Sequence, residues 1–214
     1  METDRRHITD IQIQEKRKDR VSVFIDGEFA FGLHQDVLLK SGIAKGDALS
    51  DEEIAEIRDM ESRRAAKEKA MRLLAHRARS QKELRERLLR SGFEEAHIDW
   101  TLAELHRLNL LDDGEFAKMF ARDRMLTKPV GEFLLRQELR QKGIQEADIE
   151  KAVQEAYAET SEYDYARQLA VKQKAKQLKL DPEKAQKRVA DFLMRRGFHW
   201  DITKDIMEHW DSLQ

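Results

Sequence analysis

The most regular pattern in the sequence is a helical spacing of apolar residues that recurs three times after about residue 67. Three glycines stand at equivalent points of the three repeats: Gly92, Gly143 and Gly197. A helix that ends in a left-handed glycine commonly brings the apolar residue after the glycine against a side chain of its last turn. Each glycine has such a pair around it, namely Leu88 with Phe93, Leu139 with Ile144, and Leu193 with Phe198. We therefore predict that a helix ends at each glycine.

A second apolar stripe follows each glycine turn and predicts another amphipathic helix. Its first members are Ile98, Ile149 and Ile202, and its next members are Leu102, Val153 and Ile206. Each repeat then consists of three helices and resembles a helix-turn-helix bundle. Small helical units that stack in series bury apolar surface that one unit cannot bury alone. The predicted fold class is mainly α, with three tandem three-helix repeats in an elongated, curved array.

The first third of the chain has the alternating pattern of a β-hairpin around Asp26 and Gly27. A two-residue loop would pair Val23 with Ala30 and divide the apolar side chains between both faces. A three-residue loop would pair Val23 with Phe29 and keep the apolar side chains together. Since burial of one face selects the register, we predict the three-residue loop. The expected buried face consists of Val21, Val23, Phe29 and Phe31.

Further elements are predicted around this hairpin. Ile8, Ile11 and Ile13 suggest a third strand, because a lone hairpin is marginally stable in water. A short helix is expected over residues 35–41. Ser50 followed by Glu53 is a capping box that begins a helix reaching into the 60s. The predicted domains are an N-terminal extension and three repeats, at 1–66, 67–113, 114–158 and 159–214.

Composition narrows the possible functions. The 214 residues include no cysteine, which excludes disulfides, thiolate metal sites and cysteine nucleophiles. The sequence shows neither a signal peptide nor an apolar run of the roughly 20 residues that span a bilayer, so we expect a cytoplasmic protein with no membrane contact. The net charge of −2 argues against a generic nucleic-acid binder. Residues 1–66 hold 11 basic and 15 acidic residues, whereas residues 67–214 hold 29 and 27.

Catalytic and ligand-binding motifs are absent from the sequence. None of the nine glycines lies in a phosphate-binding loop motif, and the seven histidines form no HExxH pair. The Asp112-Asp113 pair fits a helix cap better than a metal site. His97 and Trp100, like the adjacent His199 and Trp200, are interpreted as helix-surface and core-edge residues. We expect no cofactor, no metal and no enzymatic activity.

The basic residues of the repeats are the remaining candidates. Arg85 and Arg136 occupy the same repeat position, seven residues before the glycine, where the third repeat has Ala190. Two interpretations stay open: an ordinary solvated face with interleaved glutamates, or a surface that faces a partner. The candidate residues for binding a partner or DNA are Arg77, Arg79, Arg85, Arg124, Lys128, Arg136, Arg140 and Lys142.

Together these residues resemble the RecX family, which regulates the RecA recombinase. The first repeat matches that family through Ala70, Leu73, Leu74, Arg77-Ala78-Arg79-Ser80, Glu83-Leu84, Leu88 and Gly92. The second repeat matches through Leu110-Leu111-Asp112-Asp113, Phe116-Ala117, Phe120, Arg124, Gly131, Glu138-Leu139 and Lys142-Gly143-Ile144. The resemblance is strong over residues 67–157 and looser over 158–212. Residues 8–60 resemble the β-containing extension of some members.

The resemblance implies a function that composition does not reveal. RecX-like proteins bind RecA–single-stranded DNA filaments and limit strand exchange, ATP turnover and the co-protease role of RecA in the SOS response. The expected partner is therefore the RecA filament, contacted through RecA, DNA or both by a monomeric chain. The alternative function is a helix-turn-helix transcription regulator. It is disfavoured by the acidic starts of the third helices, Glu94-Glu95 and Glu146-Ala147-Asp148, because base edges are usually read by Arg, Asn or Gln.

Overall fold

A computed structural model describes residues 5–213 of the chain. The described chain divides into two compact units. The first unit covers the chain up to Arg77 together with Leu84–Leu110, and the second covers Ala78–Glu83 together with the chain from Leu111 onward. The division falls inside one helix, Gln81–Leu89, whose first turn belongs to the second unit.

The N-terminal part of the first unit is an antiparallel four-stranded sheet in the order β3-β2-β1-β4. Its strands are β1 (Arg6–Gln14), β2 (Arg17–Ile25), β3 (Glu28–His34) and β4 (Ala48–Leu49). The third strand expected from Ile8, Ile11 and Ile13 is confirmed as β1, which lies between β2 and β4. A short helix, α1 (Gln35–Ser41), follows β3 at the predicted position.

The predicted register of the hairpin is wrong. β2 and β3 are joined by a two-residue turn, in which Asp26 has φ 52° and Gly27 has φ 88°. Ile25 pairs with Glu28 and Phe24 with Phe29, but Val23 then pairs with Phe31, so Ala30 forms a bulge. The extra residue reverses the alternation of side chains in β3, which lets a tight turn coexist with one buried face. The buried residues are Val21, Val23, Ile25, Phe31 and Leu33, whereas Phe29 is 60% exposed.

The helix predicted to begin after Ser50 extends further than expected. The capping box is present: the Ser50 hydroxyl accepts a hydrogen bond from the Glu53 amide, and the Glu53 carboxylate accepts one from the Ser50 amide at 2.7 Å. The helix, α2 (Asp51–His76), is continuous over 26 residues. The domain boundary expected at residues 66/67 therefore lies within a single helix, because nothing in the sequence there breaks it.

The remaining described chain is helical and confirms the tandem three-helix organisation. After α2 come α3 (Gln81–Leu89), α4 (Glu95–Arg107), α5 (Asp113–Thr127), α6 (Glu132–Gln141), α7 (Glu146–Ala156), α8 (Glu162–Lys176), α9 (Pro182–Arg195) and α10 (Trp200–Glu208). A short 3₁₀ helix at Trp210–Ser212 follows α10. The middle helices of the three repeats are α3, α6 and α9, and their third helices are α4, α7 and α10.

The three glycine turns form as predicted. Gly92, Gly143 and Gly197 have φ values of 85°, 82° and 78°. The amide of the residue after each glycine donates to a carbonyl of the last helical turn, from Phe93 to Leu88, from Ile144 to Leu139, and from Phe198 to Leu193. The leucines of these pairs are fully buried. This geometry ends each middle helix and turns the chain into the third helix.

The expected role of Asp112 is confirmed. Its carboxylate accepts a hydrogen bond from the Glu115 amide at 2.9 Å and caps α5. Among residues 5–213, no helix combines the length and apolarity needed to cross a membrane. The same residues contain no group of three or more His, Asp or Glu side chains positioned to hold a metal ion.

Candidate partner-binding surface

Arg85 and Arg136, the equivalent arginines of the first two repeats, form the same interaction within their repeats. Arg85 on α3 binds the carboxylates of Glu95 and Asp99 on α4. Arg136 on α6 binds Glu150 on α7 at 2.9 Å. Asp99 and Glu150 each lie 14 residues after their arginine, so the pair joins the middle helix to the third helix in both repeats. This repeated geometry indicates that the arginine holds the middle helix against the third helix of its own repeat, an arrangement that we call the arginine clamp.

The environment of these arginines favours their charged form. Hydrogen bonding to Asp99 raises the pKa of Arg85. Burial by itself would lower the pKa of Arg136, but hydrogen bonds to Glu132 and Glu150 outweigh it and leave that pKa raised. The Arg136 side chain is only 20% exposed. A guanidinium held by two carboxylates in this way presents little unbalanced charge to a partner.

Three further candidates are also engaged within the second unit. Arg140 binds Glu146 at 2.5 Å in an exposed pair. Arg124 on α5 forms a two-pronged ion pair with Glu138 on α6, with nitrogen–oxygen distances of 2.8 and 2.9 Å. The Lys142 amine binds the Glu83 carboxylate. These contacts hold helices together, and they reduce the positive charge expected on this surface.

The other candidates divide between buried and exposed positions. Arg79 is 7% exposed, so its side chain offers little surface to a partner. Its position immediately before the buried N-terminus of α3 explains the burial, since the neighbouring Ser80 is fully buried. Arg77 and Lys128 are exposed. The structure therefore does not bring the eight candidates together as one unpaired basic face.

The structure reveals a contact between successive repeats that the sequence reasoning missed. The start of one middle helix lies against the glycine turn that ends the next one. Ser80, at the start of α3, donates its hydroxyl to the Lys142 carbonyl beside Gly143 at 2.7 Å. Gly131, at the start of α6, donates its amide to the Arg196 carbonyl beside Gly197 at 2.8 Å. Both contacts lie within the second unit and occupy equivalent repeat positions.

A carboxylate from the next repeat completes each of these contacts. Asp113, at the start of α5, accepts a hydrogen bond from the Gln81 amide at 2.7 Å. Glu162, at the start of α8, accepts one from the Glu132 amide at 3.0 Å. Each carboxylate satisfies an amide at a helix N-terminus, where the helix dipole favours negative charge. Burial raises the pKa of Glu162, although hydrogen bonds from backbone amides oppose the shift.

The central part of the third repeat contains a run of unbalanced positive charge. Residues 167–196 contain ten lysines and arginines but only three acidic residues. Among residues 5–213, none of these ten side chains forms an ion pair with a carboxylate. Most are exposed: Arg167, Lys172, Lys176, Lys179, Lys184, Lys187, Arg188 and Arg195. Counting charge over the whole span 67–214 concealed this run, which a shorter sequence window would have found.

Comparison with known proteins places these features in a family. Four family models match in order along the chain: the regulatory protein RecX N-terminal domain at residues 6–50, and the first, second and third RecX three-helix domains at 66–105, 112–153 and 160–207. The matches include the sheet and all three glycine turns. Their order equals that of the elements in the structure.

Similar whole proteins support the same assignment. The regulatory protein RecX of Listeria monocytogenes serotype 4a is 30% identical over 97% of this chain and 80% of the relative. That of Clostridioides difficile is 30% identical over 94% of this chain and 93% of the relative. A crystal structure of regulatory protein RecX matches with a TM-score of 0.74 and 27% identity, over 95% of this chain and 99% of that one. The chain therefore belongs to the RecX family of regulatory proteins.

Proposed function

We propose that this protein binds RecA–single-stranded DNA filaments and limits their activity. The observation that carries this proposal is the ordered match of all four RecX domains over nearly the whole chain. Family membership supplies the regulatory role, and the resemblance to RecX supplies RecA as the partner. The activities affected would be strand exchange, ATP hydrolysis and the co-protease function in DNA repair and the SOS response.

The proposed mechanism is stoichiometric binding without a reaction on this chain. Bound along a filament or at its growing end, the protein would shift the balance between filament growth and loss. A series of helical repeats suits this role, since its repeats share one backbone design and the filament is itself a repetitive partner. The proposal includes a cytoplasmic, monomeric protein that acts where RecA acts.

The structure gives no support to the alternative function of a transcription regulator. The third helices α4 and α7 begin with acidic residues, and those carboxylates bind arginines of the middle helix. Glu95, Asp99 and Glu146 would face phosphates if these helices entered a DNA groove, which costs electrostatic energy. Regulation of a protein filament agrees better with these helices than does base reading.

The experiment that tests this proposal measures ATP hydrolysis by RecA on single-stranded DNA while this protein is titrated in. We expect inhibition that rises with the molar ratio of the two proteins, and no hydrolysis when RecA is omitted. Unchanged turnover at several-fold molar excess, with the protein shown to be folded by circular dichroism, would contradict the proposed function.

A further inference from the structure

A groove in the second unit combines positive charge with apolar surface. It lies between the C-terminal end of α5 and one face of α8, and its volume is about 370 Å³. Its cations are Lys128, Lys172 and Arg196. No carboxylate lines it among the described residues. Such a site favours an anion, and its size corresponds to a short stretch of an extended chain.

The cations of the groove are not neutralised from within the molecule. Lys128 and Lys172 are exposed, and in the described part of the chain neither forms an ion pair. Arg196 is partly buried, donates to the Pro129 carbonyl at 3.0 Å and lies over the Phe192 ring. Burial and the nearby Arg124 lower the pKa of Arg196. Glu138 opposes this lowering of the Arg196 pKa only in part, and both of its oxygens already accept hydrogen bonds from Arg124.

The remaining lining of the groove is apolar and aromatic. Leu126 is 75% exposed at its rim, although it lies on a helix whose neighbouring Met125 is buried. Tyr165, on α8, contributes a half-buried ring. Proteins that hold single strands combine cations for the phosphates with rings and apolar side chains for the bases. Duplex DNA presents phosphates outward but keeps its bases stacked inside, so this apolar half would be unused by a duplex.

The positive charge continues from the groove in one direction. Gln168, Lys172 and Lys176 are spaced four residues apart on α8, which places them on one face of the helix. The adjoining depression, which shares Met125, Leu126 and Tyr165 with the groove, is lined by Lys118 and Arg122 as well as by Glu155 and Glu159, so its charges balance. Phosphates would therefore be attracted along α8 toward Lys176 rather than into this depression.

We propose that this groove binds single-stranded nucleic acid, with phosphates on Lys128, Lys172 and Arg196 and a base against Leu126 and Tyr165. The inference deepens the proposed function and rests on it for biological context, since it assigns this chain a direct contact with the DNA strand of the filament. The proposed ligand is a single strand because cationic side chains for phosphates and apolar side chains for a base lie side by side in the groove.

The test measures binding of a fluorescently labelled oligothymidylate by anisotropy, with RecA absent. The variant is Lys128→Glu with Lys172→Glu. The control is Lys18→Glu with Lys40→Glu, which changes the charge equally at two exposed lysines of the first unit. We expect at least tenfold weaker binding for the groove variant and less than a twofold change for the control. Since each phosphate contact contributes roughly 0.7 to the salt slope of single-strand binding, Lys128→Gln with Lys172→Gln should also make that slope shallower.

A second comparison distinguishes strand recognition from general attraction of DNA. Leu126→Ser alters an exposed apolar side chain without changing charge, so the fold should be retained. We expect it to weaken binding of the oligothymidylate about threefold or more and to leave binding of a duplex of equal length unchanged. Equal loss for both nucleic acids would contradict the proposed contact with a base.

Two outcomes would overturn the inference. One is oligonucleotide binding by the groove variant that equals the control. The other is loss of binding to RecA without DNA in the groove variant while oligonucleotide binding persists, which would assign the groove to a protein partner. Failure of the proposed function has a different signature, namely unchanged RecA ATP hydrolysis by a protein that still binds the oligonucleotide through this groove.

Discussion

Arg85 and Arg136 form ion pairs that stabilise their repeats, although the sequence predicted that both side chains would be exposed. Arg85 and Arg136 both lie on the side of the middle helix away from its leucines, as the helical spacing predicts. The neighbouring third helix supplies carboxylates at that side, which converts an apparent surface cation into an internal ion pair. Charge reversal at these positions therefore acts on folding as well as on any partner.

Reversing Arg136 should destabilise the second repeat. Arg136→Glu removes pairs with Glu132 and Glu150 and places three carboxylates together at a position that is 20% exposed. We expect the free energy of unfolding to fall by about 1–2 kcal/mol, above the value for an exposed pair because the site is partly buried. Urea unfolding measures the change. Arg122→Glu, at an exposed residue on α5, is the matched control, and equal stability of the two variants would refute the arginine clamp.

Glu162 should make the stability of the second unit depend on pH. Burial raises its pKa above the usual value of 4.5 in the folded state. The folded protein therefore holds this proton to higher pH than the unfolded chain, and stability is lost as pH rises through the raised pKa. Glu162→Gln keeps an oxygen for the Glu132 amide but removes the titration.

We expect the stability of Glu162→Gln relative to the natural protein to increase from about pH 4 to pH 7. Denaturant unfolding at a series of pH values measures this difference. A difference that does not vary with pH would show that Glu162 titrates alike in both states. Asp164→Asn changes an exposed carboxylate two residues away and serves as the control.

The elements are connected by glycine turns that look alike in sequence but have different surroundings. All three glycines have positive φ, which costs an ordinary residue about 1–2 kcal/mol. A Cβ at Gly92 would meet nothing within 4 Å, but at Gly143 it would lie 2.8 Å from the Lys82 Cβ. At Gly197 it would lie 2.8 Å from the Leu134 backbone nitrogen. Contact with the preceding repeat therefore distinguishes the last two turns.

Alanine substitutions should rank the three turns by these contacts. Gly92→Ala should lower the free energy of unfolding by about 1 kcal/mol through backbone strain alone. Gly143→Ala should cost more and Gly197→Ala most, because the added Cβ would lie 2.8 Å from the Lys82 Cβ at Gly143 but 2.4 Å from the Leu134 Cβ at Gly197, where it would also meet the Leu134 backbone nitrogen. Thermal and urea unfolding of the three variants measure the order. Equal losses would mean that the contacts between repeats contribute nothing.

At the scale of the whole molecule, the repeats share a backbone design but differ in surface charge. Arg85, Arg136 and Arg140 of the first two repeats are paired with carboxylates, whereas the third repeat holds ten basic residues without carboxylate partners in the described chain. Unpaired cations release counterions from nucleic acid on binding, and that release makes affinity depend on salt. The third repeat should consequently dominate this dependence.

Co-sedimentation with RecA–single-stranded DNA filaments over a range of salt concentrations tests whether the third repeat dominates the salt dependence of binding. We expect a variant with Lys172→Gln, Lys176→Gln and Lys179→Gln, at exposed residues of the third repeat, to bind more weakly and with a shallower salt dependence. A variant with Arg85→Gln, Arg136→Gln and Arg140→Gln should keep the slope of the natural protein, once its stability has been checked. A shallower slope for the arginine variant, with an unchanged slope for the lysine variant, would indicate that these arginines form the partner-facing surface.

Local patterns in the sequence determined most of the fold. Glycine followed by an apolar residue marks a helix end because the left-handed conformation and its hydrogen bonds are local, and Ser50 with Glu53 marks a helix start for the same reason. The capping role of Asp112 and the family resemblance were equally readable. The bulge at Ala30 could not be predicted from the sequence, because two turn geometries satisfy the same hydrophobic pattern and only packing of the sheet selects between them.

Tertiary structure alone decided what the charged residues do. Arg79, Arg85 and Arg136 have the sequence surroundings of surface cations. In the structure Arg79 is buried, and carboxylates from other helices bind Arg85 and Arg136. Contacts such as Gly131 with Arg196 join residues far apart in sequence, so no local pattern encodes them. The groove beside Lys128 and Lys172 likewise exists only where α5 and α8 meet. Helix ends depend on neighbours within one turn, whereas a binding surface depends on which helices are brought together.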